Sequence, residues 1–412
     1  MSGLKTAGRP SGGDTPSVPS VIGVCTAEIL GLARYSIVPA LLPQLMDAWS
    51  LSSTQAGLLA GIMFAGYMIG VVPLVTVTDL VPARTVYLAS TALSVLSTFG
   101  VALSNDLVPA LGFRALAGIA LAGMYMPGLR AVTDGTEGPR RARIAGFYTS
   151  SFTVGAALSF LLGRAGIWWG WRGAFMVAAV AGLCGLVIAW ATLPRPTVRT
   201  SPRRRTVATF RTIVENRDAL IVIVAYAATI WGTSGLRQWI VVFLGFSAGD
   251  PTHSDWSMLA IAALISLLGV PAGLLGNEFA IRFGLRVTAT LIFLASAIVT
   301  GLFGLVATMP FLAAATMSLV ASFIAQGNFS NLTSGLLAIA VPQNAGATMA
   351  LYSCIGFGGG FLGTLLFGLT LDGFGGAMRL SAWIMSFGTC GLACLVGAGA
   401  TAFLSGDLER KA

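Results

Sequence analysis

Residues 19–45 read PSVIGVCTAEILGLARYSIVPALLPQL, an apolar run that carries only two charges, Glu28 and Arg34. About 20 apolar residues suffice to cross roughly 30 Å of hydrocarbon as a helix. The run is long enough to span a membrane, so its two charges need an explanation inside the span. A charged side chain at the centre of a spanning helix costs roughly 2.5–3.5 kcal/mol on insertion scales, and such residues face a cavity, a partner or a ligand.

The same pattern recurs along the chain. With 56% hydrophobic and 9% charged residues among 412 and a mean hydropathy of +0.85, this is not a soluble domain, in which about a quarter of residues are charged. Apolar stretches fall at 19–45, 54–78, 85–104, 108–131, 145–168, 173–193, 218–246, 256–280, 286–307, 310–338, 345–371 and 380–404. The chain reads as an all-α integral membrane protein of about twelve spanning helices. One long polar interruption divides it, so the expected layout is a tail at 1–18, a six-helix bundle at 19–193, a basic linker at 194–217, a second bundle at 218–404 and a short tail at 405–412.

Lys and Arg accumulate on the cytoplasmic side of spanning proteins. With the N-terminus inside, Lys5, Arg9, Arg84, Arg130, Arg140, Arg141, Arg143, the arginines of the linker, Arg282, Arg286, Arg410 and Lys411 are cytoplasmic, and Arg164, Arg172 and Arg379 fall outside. Both termini are thus expected in the cytoplasm. The formal charge of +9 is spread over short loops at one face, which suits anionic lipid headgroups and not nucleic acid. The dominance of Arg over Lys, with abundant Gly and Ala, points to a bacterial source and an inner-membrane location. Residues 1–18 lack the apolar core of a secretory signal and read as a disordered tail.

Cys25, Cys184, Cys354, Cys390 and Cys394 lie in the apolar spans without a CxxC pair or a neighbouring His cluster, which argues against a disulfide or metal framework. The single His253 reads as a solvated loop residue beside Asp250 and Asp255. No GxxxxGK[ST] loop occurs, so energy would come from a gradient and no cofactor is expected. No Ser/His/Asp, paired-carboxylate or metal constellation in the spans suggests an enzyme.

Three arginines, Arg34, Arg114 and Arg237, share the apolar spans with one buried acid, Glu28. Positive charge in excess points to an anionic ligand. The segment from Gly31 to Val38 aligns with Ser234 to Val241 so that Arg34 matches Arg237, Ile37 matches Ile240 and Val38 matches Val241. Parallel repeats about an axis along the membrane normal, with substrate between them at the midplane, are one transporter architecture. At 1.5 Å per residue, Arg34 lies about 18 Å, Arg237 about 14 Å and Arg114 about 10 Å below the outer ends of their spans. Arg34 and Arg237 are therefore the expected clamp, each fork offering paired hydrogen bonds to a carboxylate or phosphate, with Arg114 as a further contact. Glu28, about 27 Å down, is too deep to pair with Arg114 and, six residues from Arg34, is not on its helix face. Arg130 is its expected partner.

The order of several short motifs resembles the major facilitator superfamily over nearly the whole length. Val75 to Arg84 resembles its GxxxDRxGRR loop, keeping Asp79 and Arg84; the corresponding later loop keeps Arg282, Gly284 and Arg286 but has Ile281 at the acidic place. Arg114 to Ala120 resembles the RxxxGxG pattern of helix 4, Trp171-Arg172-Gly173-Ala174-Phe175 resembles the WRxxF start of helix 6, and Gly356 to Gly363 precedes Leu371-Asp372 in helix 11. The resemblance implies two pseudo-symmetric six-helix bundles that work by alternating access. Opposed arginines in helices 1 and 7 are similar to those of the organophosphate antiporters, and cyanate, nitrate and oxalate carriers also use membrane arginines.

Transport of a small organic or inorganic anion by proton symport is the resulting expectation, in a monomer, with proton-driven efflux of drugs or metabolites as the alternative. Glu28 is the expected proton carrier: desolvation favours the neutral form of a buried carboxyl, a neighbouring guanidinium the ionised one, so a change of surroundings can load and unload a proton. Asp79, Arg84 and Arg130 are expected to act in conformational gating at the cytoplasmic face. Tyr35, Tyr125, Trp231, Gln238, Gln326, Asn328 and Asn331 are the expected substrate-lining residues, against a plain role in interhelical hydrogen bonding.

Overall fold

The structure is a computed structural model that describes residues 18–78, 80–133, 136, 138–193, 213, 215–249, 255–340 and 345–405. Among these, every regular element is helical, and twelve helices are long and apolar enough to cross a membrane. They are α1 (Val18–Ala48), α2 (Ser53–Val77), α3 (Ala83–Leu103), α4 (Leu107–Thr133), α5 (Gly138–Leu162), α6 (Ala165–Thr192), α7 (Arg217–Ser247), α8 (Trp256–Phe283), α9 (Leu285–Thr308), α10 (Phe311–Ile339), α11 (Gly346–Gly373) and α12 (Leu380–Ala402). Residues 1–17, most of the basic linker, Asp79, His253 and residues 406–412 lie outside the described residues.

Helix starts follow ordinary capping chemistry. Ser52 and Gln55 form a reciprocal capping box at α2, and the Asn216 and Asp255 side chains accept from Ala219 N and Met258 N at the starts of α7 and α8. Each satisfies a backbone N–H that the first turn leaves without a helical acceptor. Two spans differ from their sequence boundaries. Helix α5 begins at Gly138, not 145, because its basic first turns GPRRAR form helix beyond the apolar stretch, where hydropathy carries no signal. Helix α6 begins at Ala165, not 173, and contains a sharp turn at Gly170, whose φ of 67° and ψ of 170° favour glycine.

Within the first six helices α4 packs on α2 and α3, while α6 packs on α1 and α3; in the second six, α9 pairs with α12, and α7 packs on α11 and α12. The two sets meet chiefly through α2 with α11, α5 with α8, and α1 with α7. Close crossings depend on missing side chains: a Cβ at Gly118 of α4 would run into the Met63 carbonyl of α2. Such small-residue contacts are how helices associate where lipid removes most of the hydrophobic driving force.

Ser20 donates to the Thr192 carbonyl and Ser405 to Asp218, so the start of α1, the end of α6, the start of α7 and the end of α12 share one end of the bundle. The apolar cores differ between that end and the opposite, far end. At the far end one core joins both halves, with Ile37, Leu41, Phe160, Trp239, Phe243, Leu259 and Trp383 in a single cluster. Near the Val18 end the halves keep separate cores, one around Val24, Tyr87 and Tyr148, the other around Val222, Phe293 and Tyr352.

Polar contacts add to the far-end closure. The Asp372 carboxylate of α11 accepts from Ser53 N at 2.9 Å, Thr54 N at 2.7 Å and Thr54 Oγ1 at 2.6 Å, capping the N-terminus of α2 from the other half. Arg164, before α6, stacks on Trp168 at 4.5 Å and on Trp256 of α8 at 4.8 Å. The molecule is thus joined across its halves at the far end.

Candidate substrate site

The site is organised by a break in α1. Residues Leu32–Arg34 form a 3-10 turn and Ser36 leaves helical geometry before the helix resumes at Ile37. Pro39 has no N–H to return to the Tyr35 carbonyl, so the regular ladder stops here. Ser36 N finds the Ser159 hydroxyl of α5 at 2.9 Å instead. The break turns consecutive side chains in different directions. Arg34 points into its own bundle, where Nε donates to the Ser94 hydroxyl of α3, Nη1 to the Ala117 carbonyl of α4 at 3.1 Å, and Nη2 faces Met124 Sδ at 3.4 Å. Tyr35 faces across to α7, its ring 5.8 Å from the guanidinium carbon of Arg237.

The expected Arg34–Arg237 clamp is not the arrangement seen, because every nitrogen of the Arg34 fork is already occupied. Arg114 is the arginine with donors to spare: it is 2% exposed, its Nη1 makes a long 3.4 Å contact to the Arg34 carbonyl, and Nε and Nη2 have no acceptor. Arg237 is half-buried; its guanidinium makes no hydrogen bond or ion pair among the described residues and lies over the Tyr35 ring. Tyr35 lies in the electrostatic field of both Arg237 and Arg114. Buried N–H groups without acceptors are costly, so Arg114 leaves the site short of acceptors. Trp231 Nε1 and Gln238 Oε1 on α7 are also buried without partners.

Around Arg237 the walls are aromatic. Tyr35 and Tyr67, from α1 and α2, lie in one buried cluster with Phe64, and Phe152, Phe357 and Phe361 pack against it. Phe152 of α5 meets the Tyr35 and Tyr125 rings edge-on at 5.0 and 5.2 Å, and Tyr67 stacks on Phe357 of α11 at 3.9 Å. Tyr67, Phe152 and Phe357 were not among the sequence candidates. The available signal was that all seven tyrosines of the chain fall inside apolar spans, where each hydroxyl needs a partner.

Glu28 is fully buried and is the only buried acid among the described residues. Tyr87 donates to its Oε2 at 3.2 Å, Oε1 has no hydrogen bond, and Tyr148, which donates to the Met124 carbonyl at 3.1 Å, stands beside it. The expected partner, Arg130, donates to the Thr78 hydroxyl at 2.9 Å. The cation in whose field Glu28 sits is Arg34. The helical-wheel argument that separated these two residues assumed an unbroken helix, and the 3-10 turn between them removes that assumption.

The polar residues of α10 serve the helices around them. Gln326 Nε2 donates to the Ile265 carbonyl at 2.9 Å and to Ser322 Oγ at 2.8 Å; α8 breaks just beyond Ile265, at Leu268, and α10 breaks at Gly327. Asn328 donates to the Ala289 carbonyl at 3.2 Å, and Asn331 donates to Asn328 at 3.0 Å. These contacts tie α8, α9 and α10 together, and Asn331 Oδ1 is buried without a partner. Asn328 and Asn331, expected to line the substrate path, are thus engaged with Ala289 and with each other. Of the gating candidates, Asp79 lies outside the described residues, and Arg84 donates to the Trp190 carbonyl at 2.5 Å, holding α3 to the end of α6. Arg172 of the WRxxF segment donates to the Ser104 carbonyl and Asn105 Oδ1 at 3.2 and 3.1 Å, closing the end of α3.

Residues 24–364 match the family model of the Major Facilitator Superfamily. The chain belongs to that superfamily. Solved structures of this fold resemble it over nearly its full length at low identity. A bacterial homologue of the human lysosomal transporter Spinster, inward-facing and unoccupied, gives a TM-score of 0.77 at 16% identity, covering 95% of this chain and 96% of that one. The same homologue in its inward-facing occupied conformation gives 0.78 at 17%, with the same coverage. A point mutant of the nucleoside transporter NupG gives 0.74 at 14%, covering 93% and 99%. No curated protein matches the chain in sequence. As a superfamily member with twelve candidate spans among its described residues, it is a multi-pass membrane transporter.

Proposed function

We propose that this facilitator carries a small organic anion by alternating access, coupled to proton symport. The observation that carries the reading is the pair of under-satisfied arginines on opposite halves: Arg114 with two buried N–H groups lacking acceptors and Arg237 lying over a ring with no hydrogen bond or ion pair among the described residues. A carboxylate arriving between them would supply the missing acceptors and the missing negative charge, and charge-assisted hydrogen bonds to guanidinium are among the strong ones. Glu28 would be the proton site. Its neighbours are tyrosine hydroxyls, and a hydroxyl can donate to a carboxylate or accept from a carboxylic acid, so Tyr87 can serve both protonation states.

In this reading the Val18 end is cytoplasmic, the far end faces outward and is closed, and a monomer works in a bacterial inner membrane surrounded by anionic lipid. Asp79, Arg84 and Arg130 would adjust the cytoplasmic closure. Thermal stabilisation of the purified carrier across carboxylates, nitrate, cyanate and phosphate tests the proposal. A specific anion should raise the melting temperature of the wild type and lose that effect in Arg237→Gln and in Arg114→Gln. No anion-dependent shift, or a shift untouched in both variants, would remove the anion reading and favour efflux of a neutral or cationic substrate.

A further inference from the structure

Resting on the reading that Arg237 meets an anion, we infer that the anion is the carboxylate of a planar aromatic acid, and that the rings around Arg237 select it over inorganic ions and aliphatic acids. An inorganic oxyanion presents oxygen in every direction and needs donors on all sides. Beside Arg237 there is a ring instead: Tyr35 lies 5.8 Å from the guanidinium carbon, and Tyr35 belongs to one cluster with Tyr67 against which Phe152 and Phe357 pack. Aromatic faces carry negative quadrupole density and repel an anion, while they accept another ring by offset stacking or edge contact. Charge and wall together therefore suit a ligand with one anionic end and one aromatic body.

The rings are also placed to be used. Phe152, Trp231 and Phe357 each keep part of their surface uncovered, although their helices pack tightly elsewhere. Tyr67 and Phe357 come from α2 and α11, opposite halves of the carrier, and already stack face to face with an interplanar angle of 17°. A flat acid anchored at Arg237 would meet rings from both halves, so its recognition would be coupled to their closure. A flexible aliphatic acid gains burial there but no ring geometry.

Titration of the purified carrier with benzoate, cyclohexanecarboxylate and nitrate, followed by calorimetry, decides the matter. The two acids share the carboxylate and ring size and differ in planarity and π-density. Benzoate should bind about tenfold more tightly than cyclohexanecarboxylate, the worth of one or two aromatic pairs. Tyr67→Leu should bring the two acids to near equality, Tyr67→Phe should keep the preference, and Arg237→Gln should weaken both together. Equal affinity of the wild type for the two acids, or preference for nitrate, with binding still dependent on Arg237, would overturn the aromatic inference and leave the anion proposal standing. Failure of all three to bind would overturn it, and if other anions in the thermal panel also fail, the anion proposal falls too. Should Tyr67→Leu not fold, the wild-type comparison decides alone.

Discussion

Asp372→Asn should loosen the far end of the carrier. The carboxylate accepts three hydrogen bonds from Ser53 and Thr54 of the opposite half, at the positive end of the α2 dipole. A hydrogen bond to a charged group is worth about 1 kcal/mol more than its neutral counterpart, and charge at a helix N-terminus adds roughly 0.3–1 kcal/mol. Asn keeps an acceptor oxygen but loses the charge, and Asp372 is partly exposed, so screening reduces the whole to about 1–2 kcal/mol. Because the contact exists only while the far end is closed, that energy comes off the closed state, raising the open-to-closed ratio by about 5- to 30-fold. Spin labels on Asp106→Cys and Leu312→Cys, in a background without the native cysteines, report the separation of the halves at that end. Both sites are exposed on opposite halves. A distance distribution for folded Asp372→Asn that matches the parent would refute the idea that this carboxylate holds the gate.

Other outcomes follow from the partners of individual side chains. Arg34→Gln should lower the melting temperature, because Ser94 and the Ala117 carbonyl lose their donor at a cost of about 1–3 kcal/mol; it should leave the ligand-induced shift intact, whereas a selective loss of that shift would return Arg34 to the substrate site. Glu28→Gln should abolish accumulation driven by a pH gradient in proteoliposomes while sparing substrate exchange, and accumulation that persists would exclude Glu28 as the proton site. Gln326→Leu strips the donor from the Ile265 carbonyl beside the α8 break and should destabilise by about 1–3 kcal/mol without changing ligand affinity; an affinity change would make α10 part of the site after all.

The spans could be read from sequence because each is apolar for the length that hydrocarbon demands, and the order of the short motifs between and within them pointed to the superfamily that the family model matches. What hydropathy could not see is where helix continues in polar sequence, as in the basic first turns of α5. The site was legible only in part. Depth arithmetic puts Arg34, Arg114 and Arg237 in one layer, but depth says nothing about direction, and direction changes at the 3-10 turn of Leu32–Arg34. That single irregularity turned Arg34 inward, left Tyr35 against Arg237 and brought Glu28 into the field of Arg34. Tyr67 gave no warning, since an aromatic residue in an apolar helix looks like packing until its ring is seen to stack on one from the other half, as Tyr67 does on Phe357.

The repeat that relates Arg34 to Arg237 is therefore kept in position and broken in use. The two arginines coincide when the first helices of the halves are aligned on their Ile-Val pairs, yet α1 breaks around Arg34 while α7 runs on as regular helix past Arg237. The first guanidinium is spent on Ser94, Ala117 and Met124 within its own bundle, and the second, with no hydrogen bond or ion pair among the described residues, lies over a ring from the other bundle. A symmetric pair of forks would suit a symmetric dianion. One committed and one uncommitted fork, with the extra donors of Arg114 on a third helix, suit a ligand whose two ends differ. Two similar halves can rock as matched bodies while their contact surfaces diverge, and in the proposed site the divergence at this pair would give an otherwise symmetric scaffold a direction in which to hold an anion.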